Sequence, residues 1–505
     1  MPLLLAYSCL RSDFSTGGLS MSQRRKNIIF LMTDQHRLDH VSYHGFGKMQ
    51  TPNIDKIAES AGFTNCVSVN PVCTPARAAL LTGKYTHQIG MTAMSGDLSL
   101  QHPTYPRALQ KNGYRTYGIG KFHWLQGWKF GCPIGQGHPL TSIKEEMKQY
   151  GFDEVWEASG KQLVSRNYCD YAEHLDRQGL LEKYREFNAR SGTNTNLAET
   201  QNFTGEPFPF GEHNYMDVVI GDRIIEAIEE RPNDQPFFLF GSFVGPHPPY
   251  DAPQSYLDKV PYEEVDDFLP GPQGELSEAA KQRLYLLRRS YRAMISIIDE
   301  QVGRILAKLE EQGILEDTVI LFTADHGEMM GDHGRAQKQS PFHASAVVPA
   351  AIRHPDYLHG MINDLPCELT DLTATILDAA GIDPQEALSK DWPAFHDRVP
   401  CRSLLPVLRG ECEKVRDYAF SECSGQWHMI QSSQWKYIRY LQYNDPDQVP
   451  EQLYDLREDP NELNNVIGNP AYAEAAAWCR RRRDYVLDRT PPAQLRWAPI
   501  IGGAQ

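Results

Sequence analysis

Asn27-Ile28-Ile29-Phe30-Leu31-Met32, closing on Thr33-Asp34-Gln35-His36-Arg37, is the stretch whose reading decides the fold. A half-exposed strand would alternate apolar and polar residues. This run is almost continuously apolar, as in a strand buried on both faces of a parallel sheet. A second such run, Thr318-Val319-Ile320-Leu321-Phe322-Thr323, ends in Ala324-Asp325-His326-Gly327-Glu328. A third, Pro236 to Phe243, leads into Gly245-Pro246-His247-Pro248-Pro249-Tyr250. Thr116-Tyr117-Gly118-Ile119 reads as a further strand, Thr51 to Ala58 as a capped helix, and Ser277 to Gln312 as a long charged amphipathic helix. This alternation predicts an α/β fold with a doubly wound, mostly parallel sheet. From about residue 396 the character changes. Trp435 to Tyr440 and Glu451 to Leu456 read as amphipathic strands, followed by a helix from Pro470 through Arg480 to Arg483.

In open α/β sheets, sites gather beyond the carboxyl ends of the strands. Asp34 and Gln35 leave one strand there, and Asp325 and His326 leave another. Three oxygen-bearing side chains and an imidazole form a divalent-cation set. Oxygen ligands suit Ca²⁺, Mg²⁺ or Mn²⁺, and the histidine shifts the balance toward Mn²⁺. Either pair alone could equally cap a helix or turn the chain.

Cys73-Thr74-Pro75-Ala76-Arg77 runs directly into Ala78-Ala79-Leu80-Leu81-Thr82-Gly83. Pro75 fits the first turn of a helix, which puts Cys73 at a helix N-terminus. Unpaired N–H groups and the helix dipole favour an anion there, and Arg77 adds a permanently charged fork for sulfate- or phosphate-like oxygens. Taken alone, Cys73 reads more often as a buried structural thiol. After Gly118-Ile119-Gly120 come Lys121-Phe122-His123-Trp124. In an extended segment, residues two apart point the same way, so Lys121 and His123 are expected to share a face. Prolines on both sides hold His247 in a stiff loop, which cuts the entropy of holding an imidazole in one place.

Taken together, these motifs resemble the type I sulfatases. Cys-x-Pro-x-Arg with Leu-Thr-Gly after it is similar to the signature whose cysteine is oxidised to formylglycine, the nucleophile of that family. Its members end the first strand in Asp-Asp or Asp-Gln and the later one in Asp-His or Asp-Asn. They also carry a Lys-x-His pair, a Pro-His-x-Pro loop and a lysine after Gly-x-His-Gly, matched here by Lys121 and His123, by His247, and by Lys338. The resemblance implies an alkaline phosphatase-like fold with a smaller C-terminal antiparallel sheet and helix. The metal set it implies is Asp34, Gln35, Cys73, Asp325 and His326, with Ca²⁺ favoured over Mn²⁺ or Mg²⁺. The implied catalytic set is Cys73, Arg77, Lys121, His123, His247 and Lys338. The expected reaction is hydrolysis of a carbohydrate or other small organic sulfate monoester. Maturation would need a formylglycine-generating enzyme. Two other readings remain open: a phosphonate monoester or phosphodiester hydrolase of the same superfamily, and a non-catalytic anion-binding homologue with an unmodified Cys73. Where the family shows an acidic Tyr-Glu-type segment, this chain has Phe342-His343-Ala344-Ser345, so nothing is carried over there.

The 505 residues suffice for one large domain and a smaller one. Expected divisions are an extension at 1–21, a catalytic domain at 22–395 with an insertion at about 124–212, and a C-terminal subdomain at 396–505. The insertion loses regular patterning; Trp124, Trp128 and Trp156 within it could stack on a substrate or simply pack it together. The net charge of −15, from 65 acidic and 50 basic residues, speaks against nucleic acid as a partner. No apolar run reaches membrane-spanning length. The ten cysteines are scattered without a CxxC pair, which points to neither a zinc cluster nor a disulfide framework. A reducing, cytoplasmic location is therefore expected. The alternative is a periplasmic or lipid-anchored protein attached through Cys9, since Leu5-Ala6-Tyr7-Ser8-Cys9 is similar to a lipoprotein cleavage box. A homo-oligomer is compatible with all of this.

Overall fold

The computed structural model describes residues 25–493 apart from 46, 95, 126–138, 191–204, 262–267, 273, 390–398, 424, 443–448 and 491. The 1–21 extension with Cys9, and Trp128, fall outside the described residues. Nine strands form the large sheet: β1 (Asn27–Thr33), β2 (Ala61–Val67), β3 (Arg115–Gly120), β4 (Glu154–Glu157), β5 (Phe237–Ser242), β6 (Thr318–Ala324), β7 (Val347–Arg353), β8 (Met361–Asn363) and β9 (Cys367–Glu368). Their order is β4-β3-β5-β1-β6-β7-β2-β8, with β9 also on β2. All run in one direction except β7, which is antiparallel to both β6 and β2. The three continuous apolar runs occupy the centre, β5-β1-β6. All seven residues of β6 and all six of β5 are buried, because helices cover both faces.

The long helix spans Glu278–Glu311, and the Ser277 side chain accepts from Ala280 N at its start, a cap contributing about 1 kcal/mol. Four further strands, β10 (Ala419–Cys423), β11 (Trp427–Gln431), β12 (Trp435–Tyr440) and β13 (Glu451–Asp455), make an antiparallel meander. The Ala473–Arg489 helix covers it. Phe420, Ile430, Tyr437 and Leu453 of this meander bury against Ala476, Cys479 and Val486 of the helix, and against Val69, Ala79 and Tyr85 of the large unit. Each fully buried large side chain stabilises by roughly 1.5–3 kcal/mol. The second sheet therefore backs the helix that carries Cys73.

The 124–212 segment is more regular than its composition suggests. Its described part holds helices at Lys144–Lys148, Asp170–Asp176 and Leu181–Arg190, and β4 completes the edge of the large sheet. β4 has only four residues, too few to establish a period. Trp124 is buried and stacks on Phe122 with centroids 5.0 Å apart, so its part is packing. Trp156 is half-buried and lines a cavity of about 380 Å³ together with Lys144, Arg177 and Arg223.

Candidate active site

Register makes the site. Gly120 pairs with Ser242, Met32 with Ser242 and Thr33 with Ala324, so β3, β5, β1 and β6 end level with one another. The residues that follow them, Lys121, His247, Asp34 with Gln35, and Asp325 with His326, leave at one edge. Gly120 has φ +107, and a Cβ there would sit 1.9 Å from the Ser242 carbonyl oxygen, so only glycine lets β3 end this close to β5. Cys73 arrives from the other side of β7, at the start of the Cys73–Thr82 helix that follows β2. That helix is buried throughout and ends at Gly83 in the left-handed conformation.

Asp34, Cys73, Asp325 and His326 each present a ligand atom, and the four atoms lie within 4.8 Å of one another, all buried. Cys73 Sγ is 3.1 Å from His326 Nε2, 3.6 Å from Asp34 Oδ1 and 3.0 Å from Lys338 Nζ. His326 Nδ1 is 2.9 Å from the Gly327 carbonyl. A carbonyl can only accept, so Nδ1 carries a proton, and Nε2 is the ring nitrogen turned toward the cluster, the one that would ligate a cation. Two carboxylates and an imidazole fit a hard or borderline divalent cation. Gln35 stands beside the cluster, its Oε1 accepting from Lys338 Nζ at 2.9 Å.

Charge is concentrated here and mutually compensated. Burial pushes the Asp34 carboxyl up, but Lys121, His247, Arg77 and Lys338 together hold it well below the usual carboxylate range. Burial likewise opposes a Cys73 thiolate and Asp34 repels it, yet Lys338, Lys121 and His326 bring the thiol below its ordinary value. Burial lowers His247, and Lys338 and Lys121 lower it further, well below the usual imidazole range. His123 is lowered in the same way by burial, Lys121 and Arg77.

Arg77, Lys121 and His123 differ from their sequence-based expectations. Arg77 does not hold out an open fork. Its Nε donates to Asp325 Oδ2 at 2.8 Å, one terminal nitrogen to Asp34 Oδ2 at 3.2 Å, and the other to the Lys121 carbonyl at 2.6 Å and Ser242 Oγ at 2.8 Å. With no exposed surface, the guanidinium clamps the two carboxylates instead of facing an anion. Lys121 and His123 do not share a face through strand alternation either. β3 stops at Gly120 and His123 is left-handed at φ +64, so both residues lie beyond the strand and its alternation does not set their directions. Lys121 Nζ lies 2.5 Å from Asp34 Oδ2. Gln35 is also left-handed, at φ +66. Such backbone costs on the order of 1–3 kcal/mol and persists only when its surroundings hold it. Here Gln35 N donates to Asp325 Oδ1 at 3.0 Å, and the Tyr291 hydroxyl donates to Gln35 O at 2.7 Å.

His247 is partly buried, its Nδ1 2.8 Å from the Pro248 carbonyl. Lys338 lies between two left-handed residues, Gln337 and Gln339. Its loop is tied down by Gln339 N to the Pro71 carbonyl at 3.1 Å and by Trp427 Nε1 of β11 to the Gln339 carbonyl at 3.0 Å. Sequence reading missed Tyr291, Ser242 and Glu328. Nothing marks Tyr291 or Ser242 in the sequence; Glu328 could have been noticed as an acid in an otherwise small and apolar run from Gly327 to Gly331.

A mostly parallel sheet that gathers a buried cluster of charged side chains at its carboxyl edge has the arrangement of an α/β enzyme. The sulfatase family model matches residues 26–382, and a model described as N-sulphoglucosamine sulphohydrolase, C-terminal, matches 331–484. The chain belongs to the sulfatase family and is a sulfuric ester hydrolase. It is 29% identical over 486 residues to an arylsulfatase of Clostridium perfringens, covering 90% of this chain and 93% of that protein. It is 27% identical over 516 residues to an N-acetylglucosamine-6-O-sulfatase of Bacteroides thetaiotaomicron, covering 94% and 88%. The crystal structure of a phosphonate monoester hydrolase of Agrobacterium radiobacter is similar with a TM-score of 0.73 at 23% identity, covering 92% of this chain and 96% of that one, a likeness of fold.

Proposed function

We propose that this chain hydrolyses sulfate monoesters of small organic or saccharide alcohols through a formylglycine made from Cys73 by a formylglycine-generating enzyme, with a divalent cation held by Asp34, Gln35, Asp325 and His326. The observation that carries the reading is the position of Cys73 Sγ, within about a hydrogen bond's length of both His326 Nε2 and Lys338 Nζ. Formylglycine would supply a geminal pair of hydroxyls as nucleophile and release device, and the cation a Lewis acid. The chain's own groups do the rest. Lys338 and Lys121 meet the charge of the sulfate oxygens as it builds. Arg77 keeps the two carboxylates in place. His247 protonates the departing alcohol oxygen, and His123 takes a proton from the nucleophile's side.

Mass spectrometry of the peptide spanning residue 73 should find the aldehyde or its hydrate in active protein. An unmodified thiol in active protein would end this reading. An aryl sulfate should be hydrolysed with a higher kcat/KM than the matching aryl phosphonate monoester, and the reverse ranking would give the site to a phosphonate hydrolase. The names of the two relatives cover an aryl and a sugar ester, which supports sulfate as the common part and leaves the alcohol open.

His247 gives a separate test. A general acid matters most when the leaving group is poor, so His247→Asn should slow alkyl sulfates by about 10²–10⁴-fold and activated aryl sulfates far less. Because its pKa is held below the usual imidazole range, the protonated fraction of His247 grows as pH falls. The wild-type rate on an alkyl sulfate, relative to an activated aryl sulfate, should therefore rise toward acid pH, and the variant should lose that rise.

A further inference from the structure

Glu328 lies two residues beyond His326, its side chain buried at 1% exposure. One carboxyl oxygen accepts from Met330 N at 3.2 Å and from Gln337 N. The other accepts from Gln35 Nε2. The Tyr250 hydroxyl hydrogen bonds with both Glu328 and Gln35. At the far end of the same amide, Gln35 Oε1 accepts from Lys338 Nζ at 2.9 Å, and that ammonium reaches Cys73 Sγ at 3.0 Å. A glutamine amide has nearly the same shape with its oxygen and nitrogen exchanged, so packing alone does not choose between the two orientations. Here the partners choose. An ammonium can only donate and a carboxylate can only accept, so the oxygen must face Lys338 and the NH₂ must face Glu328.

We propose that Glu328 is a positioning residue that fixes the polarity of the Gln35 amide, so that an oxygen and not an NH₂ group is turned toward the Asp34, Cys73, Asp325 and His326 cluster. A reversed amide would set N–H groups against Lys338 and against a cation in the cluster, and its oxygen against a carboxylate. The main chain of Gln35 cannot swing away to relieve this, being held at its N–H by Asp325 and at its carbonyl by Tyr291. The inference rests on the metal reading above.

The test is a calorimetric titration of metal-free protein with Mn²⁺ and, separately, Ca²⁺, with circular dichroism to confirm folding. Glu328→Gln keeps the shape and can still accept from Met330 and Gln337, but it no longer dictates which end of the Gln35 amide turns inward. Metal affinity should fall by about tenfold or more, the usual effect of losing a group that orients a ligand. The double variant Gln35→Glu with Glu328→Gln restores complementary partners in the opposite sense, NH₂ to carboxylate, and leaves an oxygen facing the cluster; it should bind at least as tightly as wild type. Wild-type affinity in the single variant, or a double variant no tighter than the single one, overturns the assignment. If Glu328→Gln does not fold, the double variant decides alone: folded with at least wild-type affinity it supports the assignment, and any other outcome removes it. A wild-type protein that binds neither ion would take the metal reading down with this one, whereas wild-type binding with an unaffected Glu328→Gln removes only the role of Glu328.

Discussion

Replacing Cys73 with serine should give a protein that reacts once and stops. Serine places one hydroxyl where the thiol sits, against His326 and Lys338, and the machinery around it is otherwise unchanged. Its Oγ can attack the sulfur of a bound ester while the alcohol leaves with a proton from His247. The sulfo group then stays on Ser Oγ, because no second hydroxyl on the same carbon can expel it. The measurement is a stoichiometric burst of alcohol with no steady state, together with a peptide spanning residue 73 that carries one added sulfo group. Cys73→Ala should show neither, and its turnover should fall by about 10⁴-fold or more, as when the nucleophile of a cooperating set is removed. Sustained turnover by the serine variant would overturn the two-hydroxyl requirement on which the proposed chemistry depends.

The second large effect concerns stability. Arg77→Ala should destabilise the metal-free protein by about 3–5 kcal/mol, the cost of breaking a buried ion pair from one side. The truncation leaves Asp34 and Asp325 buried without their shared guanidinium, and it also frees Ser242 Oγ and the Lys121 carbonyl. Arg77→Lys should not rescue it, since a single ammonium cannot span both carboxylates. Urea unfolding monitored by circular dichroism should show a lower midpoint with little change in slope. A variant as stable as wild type would show that the clamp matters little. Added cation should restore part of the loss in either variant, because it too would offset the carboxylates.

What could be read from the sequence follows from where each residue is buried. β1, β5 and β6 lie in the middle of a sheet covered on both faces, so their sequences carry no alternation and stand out as apolar runs. β2 and β7 did not stand out. Val347–Arg353 contains Pro349, which argues against a central strand. The structure accommodates it where the β2–β7 register shifts: Val348 pairs with Cys66 and Ala350 with Phe63, so Pro349 sits at a bulge where its missing N–H is not needed. The convergence of Asp34, Asp325 and His326 could be read because strand ends in such sheets share an edge. The orientation of Arg77 could not. Whether a guanidinium meets a ligand or its neighbours depends on which carboxylates the fold brings beside it, and both of these come from strands on the far side of β7 from its own helix. Strand alternation does not pair Lys121 with His123, since β3 ends at Gly120 and His123 is left-handed.

On the formylglycine proposal, the complete enclosure of Cys73, with 0% of its surface open, would set a timetable for the molecule's own making. A second protein that oxidised this sulfur, as the formylglycine proposal requires, could not reach it once the Cys73–Thr82 helix has closed against both sheets. Maturation would therefore compete in time with folding. A chain that finishes too early would be locked as an inactive thiol form, and supplying the modifying enzyme afterwards would not revive it.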